Sequence, residues 1–310
     1  MLSPIEEIIA DLGNSEKSLL SSSLTDLSNL SSEGLSLLKQ TWSAIEPERR
    51  QQIVSQLVEL VEDNFELNFD SIFKICLTDQ DAEVRSKAIE GLWENEEPSL
   101  INPLVDLLKR DSSEKVQAVA ATALGRFVTL AEHQKLRSSY TPKIYQALLT
   151  TISDTRKPIE VKRRALEAVA PLGLPEVEQA IGEAYQSSDP KLRGSSIYAM
   201  GKNCNPSWLP ILLKELDSHD AEIRYEAAGA CGELGEEEAA PYLIELAADP
   251  NIEVQLASIR ALGQIGGTEA KNFLEECLDD PSEAVQQAAE QALHELEEGA
   301  DSFSFQVSNP

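Results

Sequence analysis

Cations, aromatic rings and cysteine pairs are all scarce in this chain. Lys and Arg number 26 against 54 Asp and Glu, a formal charge of −28 over 310 residues. General nucleic-acid binding rests on neutralising phosphates with Lys and Arg, so that balance argues against it, and equally against adhesion to an anionic membrane surface. The four cysteines, Cys76, Cys204, Cys231 and Cys277, lie far apart with no CxxC pair, which gives neither a disulfide framework nor a zinc site. No apolar run approaches the roughly 20 residues of a membrane span. The first residues, Met1 to Glu7, lack the basic-then-apolar order of a secretory leader. A soluble, cytoplasmic protein is expected. Neither the Gly-x-Ser-x-Gly elbow nor the P-loop signature occurs, and no nucleophile–base motif stands out. Aromatics make up only 5% of the chain, and an Ala/Leu/Glu-rich composition of this kind suits helices packed on helices.

What is present is repetition. A segment of the form Asp-x-Glu-Val-Arg-x-x-Ala recurs, with its apolar anchor at Val84, Val116, Val161, Leu192, Ile223, Val254 and Val285. The intervals are 32, 45, 31, 31, 31 and 31 residues. Four residues after the anchors stand Ala88, Ala120, Ala165, Ser196, Ala227, Ser258 and Ala289. Eight after stand Leu92, Leu124, Val169, Met200, Cys231, Leu262 and Leu293. Steps of four and eight share one face of an α-helix, so this stripe is expected in the core. Asp81, Ser113, Asp189, Asp220, Asn251 and Ser282 lie three residues before their anchors, where a side-chain oxygen can cap the first turn. Gly173, Gly235 and Gly266 lie twelve after, suited to a left-handed helix stop.

Between these motif helices the sequence predicts second helices, among them Pro98–Arg110, Thr141–Ile152, Pro206–Leu216, Glu237–Ala247 and Thr268–Leu278. A helical pair plus two turns fills about 31 positions. One pair cannot bury its own apolar face, so neighbours must stack. The expected fold is an all-α superhelix, a solenoid of about seven clear two-helix repeats. Residues 1–64 keep helical periodicity at Ile53, Leu57, Leu60 and Val61, and form a divergent helical cap. Residues 65–298 form the array, and 299–310 read as a flexible tail. The long interval places about 14 extra residues around Glu132–Tyr140, as a lengthened helix or turn.

Read over Asp81–Leu92, Asp220–Gly232 and Asn251–Gly263, the pattern resembles the HEAT-like repeats shared with the phycobilin lyases. The resemblance covers about Phe65 to Leu296. It implies a solenoid whose concave side binds, and it is almost silent about function, since one repeat serves unrelated tasks. It also implies that Asp81, Asp189 and Asp220, with Arg85, Arg193 and Arg224, form a structural Asp–Arg ladder between repeats. Gln117, Gln255 and Gln286 interrupt that ladder.

Positions two, three, six and ten after the anchor avoid the core. They carry Arg126, Arg163, Arg164, Tyr198, Lys202, Tyr225 and Arg260, residue types favoured at interaction hot spots. Residues 109–202 hold 15 Lys and Arg against 10 Asp and Glu, a net of +5, while the remainder carries −33. This stripe is expected to bind a protein partner through an acidic segment; the alternative is that its cations solvate a helix face or pair with Glu one turn away. The acidic ends could instead recruit a basic partner. Trp93 and Trp208, near helix ends, suit core or groove packing or a partner anchor.

Enzymes built on such repeats leave residue signatures. Iron-dependent deoxyhypusine hydroxylases use several His-Glu pairs, whereas His133, His219 and His294 supply one, His294-Glu295. Repeat-built DNA glycosylases need a more basic groove. A phycobilin lyase or chaperone would hold an open-chain tetrapyrrole, with Arg163 or Arg164 on its propionates and Tyr198 or Tyr225 stacked on a ring. No local motif identifies that chemistry, so a non-catalytic scaffold without cofactor or metal is the expectation.

Overall fold

Five of the seven motif helices begin where a short polar side chain turns back onto the first turn. In the computed structural model, Asp81, Ser113, Asp189, Asp220 and Asn251 each accept a backbone N–H of the first turn. The structure describes residues 4–14 and 16–307, with side chains to 297. Among them every regular element is helical.

The helices divide into two units between Ala168 and Val169. In the first, α1 (Pro4–Leu12), α2 (Ser21–Thr25), α3 (Ser32–Trp42) and α4 (Pro47–Asp63) precede α5 (Asp70–Cys76), α6 (Ala82–Gly91), α7 (Ile101–Arg110), α8 (Glu114–Glu132), α9 (Thr141–Ser153) and α10 (Ile159–Val169). The second contains α11 (Pro175–Tyr185), α12 (Pro190–Asn203), α13 (Leu209–Glu215), α14 (Ala221–Leu234), α15 (Ala240–Leu246), α16 (Ile252–Ile265), α17 (Gly267–Cys277) and α18 (Glu283–Val307). Short 3-10 turns lead into α7, α13 and α15.

Within each unit two layers form. Motif helices pack side by side, α4 on α6 and α6 on α8, then α12 on α14, α14 on α16 and α16 on α18. Second helices such as α7 and α9, or α15 and α17, make the other layer; α7, α15 and α17 are hairpinned to α8, α16 and α18, and α9 packs on α7 and α8. This is the α-solenoid architecture. All seven anchors and all seven residues four positions on are buried. Ser196 and Ser258, fully buried, spend their hydroxyls on Arg193 O and Val254 O of their own helices, which removes the penalty of an unmet polar group.

The long interval is both a longer helix and a turn. Helix α8 runs 19 residues, and Gln134 then reverses the chain at φ 58°. The N-terminal segment is tied down by buried guanidinium groups: Arg49 donates to Leu12 O and Lys17 O, and Arg50 to Ile45 O. Of the expected tail, the backbone of α18 continues to Val307, and 308–310 lie outside the described residues.

The helix stops twelve residues after the anchors behave unequally. Gly235 takes the left-handed conformation (φ 73°) and Gly266 also has positive φ, 71°. Gly173 does not, which corrects its assignment as a stop: α10 ends at Val169, because Pro171 denies the helix a donor and restricts Ala170. The equivalent stop after α12 is Cys204, at φ 52°. A side chain in that region is strained by about 1–2 kcal/mol, so Cys204→Gly is expected to raise stability by about 1 kcal/mol, read as the shift in a urea unfolding midpoint at unchanged slope. Burial and the Glu233 carboxylate push the Cys204 thiol above its usual pKa, and buried Cys231 is pushed up to about 12; neither is an activated thiolate.

Candidate functional site

Four of the seven stripe residues meet in one cleft of the second unit. Tyr198 and Lys202 on α12, Tyr225 on α14 and Arg260 on α16 line a space of about 310 Å³, with Glu226 and Glu233 beside them. These side chains converge because motif helices repeat every 31 residues and lie side by side, so positions two, six and ten after successive anchors face the same way. Tyr198 and Tyr225 are 40% and 38% exposed.

Gly229 leaves space in the cleft. It lies mid-helix on α14, and a Cβ there would meet nothing within 4 Å. The glycines that pack the layers differ sharply. A Cβ at Gly201 would stand 2.7 Å from Ala230 Cα, and one at Gly263 would stand 2.7 Å from Ala292 Cβ. Those positions let motif helices touch backbone to backbone, whereas Gly229 leaves open space.

Charges in the cleft are largely matched. Lys202 Nζ lies 2.5 Å from Glu233 Oε1 and 5.7 Å from the centre of the Tyr198 ring, within cation–π range. Burial alone would lower its pKa, but the hydrogen bond and charge of Glu233 hold it above the usual value. For exposed Arg260 no hydrogen bond or ion pair is found among the described residues.

The remaining stripe residues belong to the first unit. Glu160 and Glu167 bracket the α10 arginines: Arg163 Nη1 lies 2.8 Å from Glu160, and Arg164 lies 2.8 Å from Glu160 and 2.9 Å from Glu167. Pairing one turn away thus describes both. Arg126 donates to Trp93 O and, at 3.0 Å, to Glu96.

The ladder exists with different acidic members. Asp81, Asp189 and Asp220 serve as helix caps. The ion pairs go to the acid of the following repeat, two residues before its cap: Arg85 binds Asp111 at 2.7 Å through both Nε and Nη2, and Arg224 binds Asp249 at 2.6 and 2.9 Å. Ser218 occupies that position in the next repeat from Arg193, which instead reaches buried Glu215 at 2.7 Å. A caps-only reading misses these partners, although Asp79, Asp111, Asp249 and Asp280 recur two residues before a cap. Arg50 faces Asp79 at 3.0 Å, so α4 fills the role of a motif helix that the consensus did not reveal. Gln117, Gln255 and Gln286 bond the carbonyls of Asp111, Asp249 and Asp280 in their own turns. Glutamine keeps the turn and loses the Arg–Asp ion pair, although Gln117 Oε1 accepts from Lys157 of the next repeat at 2.6 Å.

A profile of HEAT repeats matches residues 69–143 and 209–294, just over half of the chain. The chain belongs to the HEAT-repeat family. In sequence, 92 residues are 28% identical to deoxyhypusine hydroxylase of Rattus norvegicus, covering 29% of this HEAT-repeat chain and 30% of the relative, so less than a third of that protein's length is spanned. In structure, importin beta superposes with a TM-score of 0.54 at 17% identity over 94% of this chain and 44% of importin beta. That likeness is one of fold. No helix among the described residues is long and apolar enough to cross a membrane.

Proposed function

We propose that this HEAT-repeat chain is a non-catalytic docking module, and that its second unit holds a segment of a protein partner in the cleft across α12, α14 and α16. The observation that carries the reading is the convergence of Tyr198, Lys202, Tyr225 and Arg260 around the void at Gly229. The space suits one or two side chains. Two half-exposed rings offer large, stiff contact area, and Arg260 can take a carboxylate of the partner in a bidentate pair. The acidic character of the partner segment rests on Arg260, because Lys202, Arg163 and Arg164 already hold internal partners.

The likeness to deoxyhypusine hydroxylase does not bring that relative's chemistry with it in this reading. Its support is the donor set: three histidines in the chain, and no group of three or more His, Cys, Asp or Glu among the described residues that could hold a metal ion.

Gly229→Trp fills the cleft from a position that touches no core atom, so the fold should keep its circular dichroism and melting temperature. Native pull-downs with wild type, Gly229→Trp and Arg260→Glu, with a photo-cross-linker at Tyr225, test the reading. A protein captured and cross-linked by wild type and lost by both variants supports it; equal recovery by all three removes it. Biliverdin added to the same proteins gives the other outcome. A shifted absorbance band abolished by Gly229→Trp would move the cleft to open-chain tetrapyrrole binding.

A further inference from the structure

The first unit carries a second trough, on the same register of motif-helix positions. It lies across α4, α6 and α8, with a volume of about 510 Å³, and its walls include Leu92, Trp93, Leu104, Val119, Ala123 and Phe127. Val119, Thr122, Ala123 and Arg126 are three, six, seven and ten residues after the α8 anchor, the same steps that place Ala257, Arg260, Ala261 and Gln264 of α16 in the other cleft. The chemistry differs. Where that cleft has tyrosines and a spare guanidinium, this trough is aliphatic and aromatic.

Trp93 is its unusual member. The residue is 52% exposed, while its main-chain carbonyl accepts from Arg126, itself held by Glu96 at 3.0 Å. Trp42 and Trp208 donate their ring N–H groups to Asp79 at 2.6 Å and Asn203 at 3.0 Å; no such acceptor is found for Trp93 among the described residues. The ring is therefore held from its backbone and left open on its face, the arrangement of a pre-positioned anchor.

Charge indicates what would cover it. Residues 1–108 hold 7 Lys and Arg against 21 Asp and Glu. Glu62 and Glu90 line the trough and Glu96 pairs with its Arg126, while the nearby cations are engaged, Lys87 with Glu90 at 2.7 Å and Arg126 with Glu96. An apolar floor inside a carboxylate rim complements an apolar anchor flanked by Lys or Arg.

We propose that this trough docks a basic amphipathic helical segment of another protein, its apolar face against Trp93 and its cations on the Glu62–Glu96 rim. The site is independent of the cleft in the second unit, so Gly229→Trp should leave it untouched.

Two labelled model helices with identical leucine faces, one carrying lysines and the other glutamates, are the probes. Binding is followed by anisotropy and by tryptophan emission. The lysine helix should bind the full chain and shift the emission, and the glutamate helix should not bind. Ala123→Phe, which fills the trough, should weaken binding about tenfold, equivalent to about 1.4 kcal/mol. Glu62→Lys with Glu90→Lys, both in the trough's lining, should do at least as much. Glu269→Lys with Glu276→Lys, far along the sequence in the second unit, should leave affinity within about twofold at 0.15 M salt, where screening acts over about 8 Å. An Ala123→Phe protein that binds like wild type would overturn the proposal. So would equal losses from both charge-reversed pairs, which would mean diffuse attraction to an acidic chain, or a Trp93→Phe protein whose emission still shifts.

Discussion

Arg224→Ala is expected to destabilise the second unit by about 3–5 kcal/mol, the cost of leaving one half of a buried ion pair behind. The side chains of Arg224 and Asp249 are only 13% and 5% exposed. Asp249 receives Nε and Nη2 of Arg224 and the backbone N–H of Asn251, and Nη1 of Arg224 also holds Ser218 O. Alanine removes the donors and leaves the carboxylate buried. Arg224→Gln should lose less, because glutamine already makes the turn contact at 255 and 286. Adding Asp249→Asn to Arg224→Gln should recover most of the deficit, since a neutral amide is cheaper to bury than a carboxylate. Urea unfolding of wild type, Arg224→Gln, Asp249→Asn and the double variant measures the cycle, and additive losses would show that the pair is not coupled.

The same pair sets a pH dependence. Hydrogen bonding from Arg224 holds the Asp249 carboxyl below its usual pKa, against the opposing effect of burial. A depressed carboxylate stabilises above its unfolded pKa of about 3.9, and the contribution fades as pH falls through the folded value. In Arg224→Ala the carboxyl has lost that support and protonates more readily. The gap between the two proteins should therefore be full near neutrality and narrow below about pH 4.

Much of this architecture was legible in the sequence because it is repeated. Anchors, small residues at the fourth position and caps recur, and periodic burial needs no knowledge of the partner helix. The caps were found, but the ladder's acids were not, because a pair between neighbouring repeats joins residues about 26 apart whose sequence sign is only an Asp two before the next cap. The repeat resemblance implies Asp81 as an acidic member of the ladder; geometry gives Arg85 to Asp111. Among the stripe residues, spacing puts Tyr198, Lys202, Tyr225 and Arg260 on equivalent helix positions, and these four line one cleft. It could not show that Glu160 and Glu167 neutralise Arg163 and Arg164, since rotamers decide which carboxylate a guanidinium takes. Sequence alone does not decide between core and anchor for Trp93, because its exposure depends on α4 and α7, which the motif does not encode.

Glycines at two positions of neighbouring motif helices should respond in opposite directions. At Gly201 a Cβ meets Ala230 Cα at 2.7 Å and its carbonyl oxygen at 3.3 Å. The obstacle is helix backbone, which cannot rotate away, so α12 and α14 must separate and surrender contacts along their length. Gly201→Val is therefore expected to cost about 3 kcal/mol, at the upper end of overpacking substitutions. At Gly229 the space is empty, the backbone is helical and no neighbour must move. Gly229→Ala should then stabilise by about 0.5–1 kcal/mol, because alanine gives up less freedom on entering a helix. Amide exchange locates each effect. Since stability in stacked repeats is carried by nearest-neighbour interfaces, Gly201→Val should speed exchange in α12 and α14 first and in α18 least. Uniform acceleration would mean that the second unit opens as one cooperative body, and a destabilising Gly229→Ala would mean that the cleft floor is already packed.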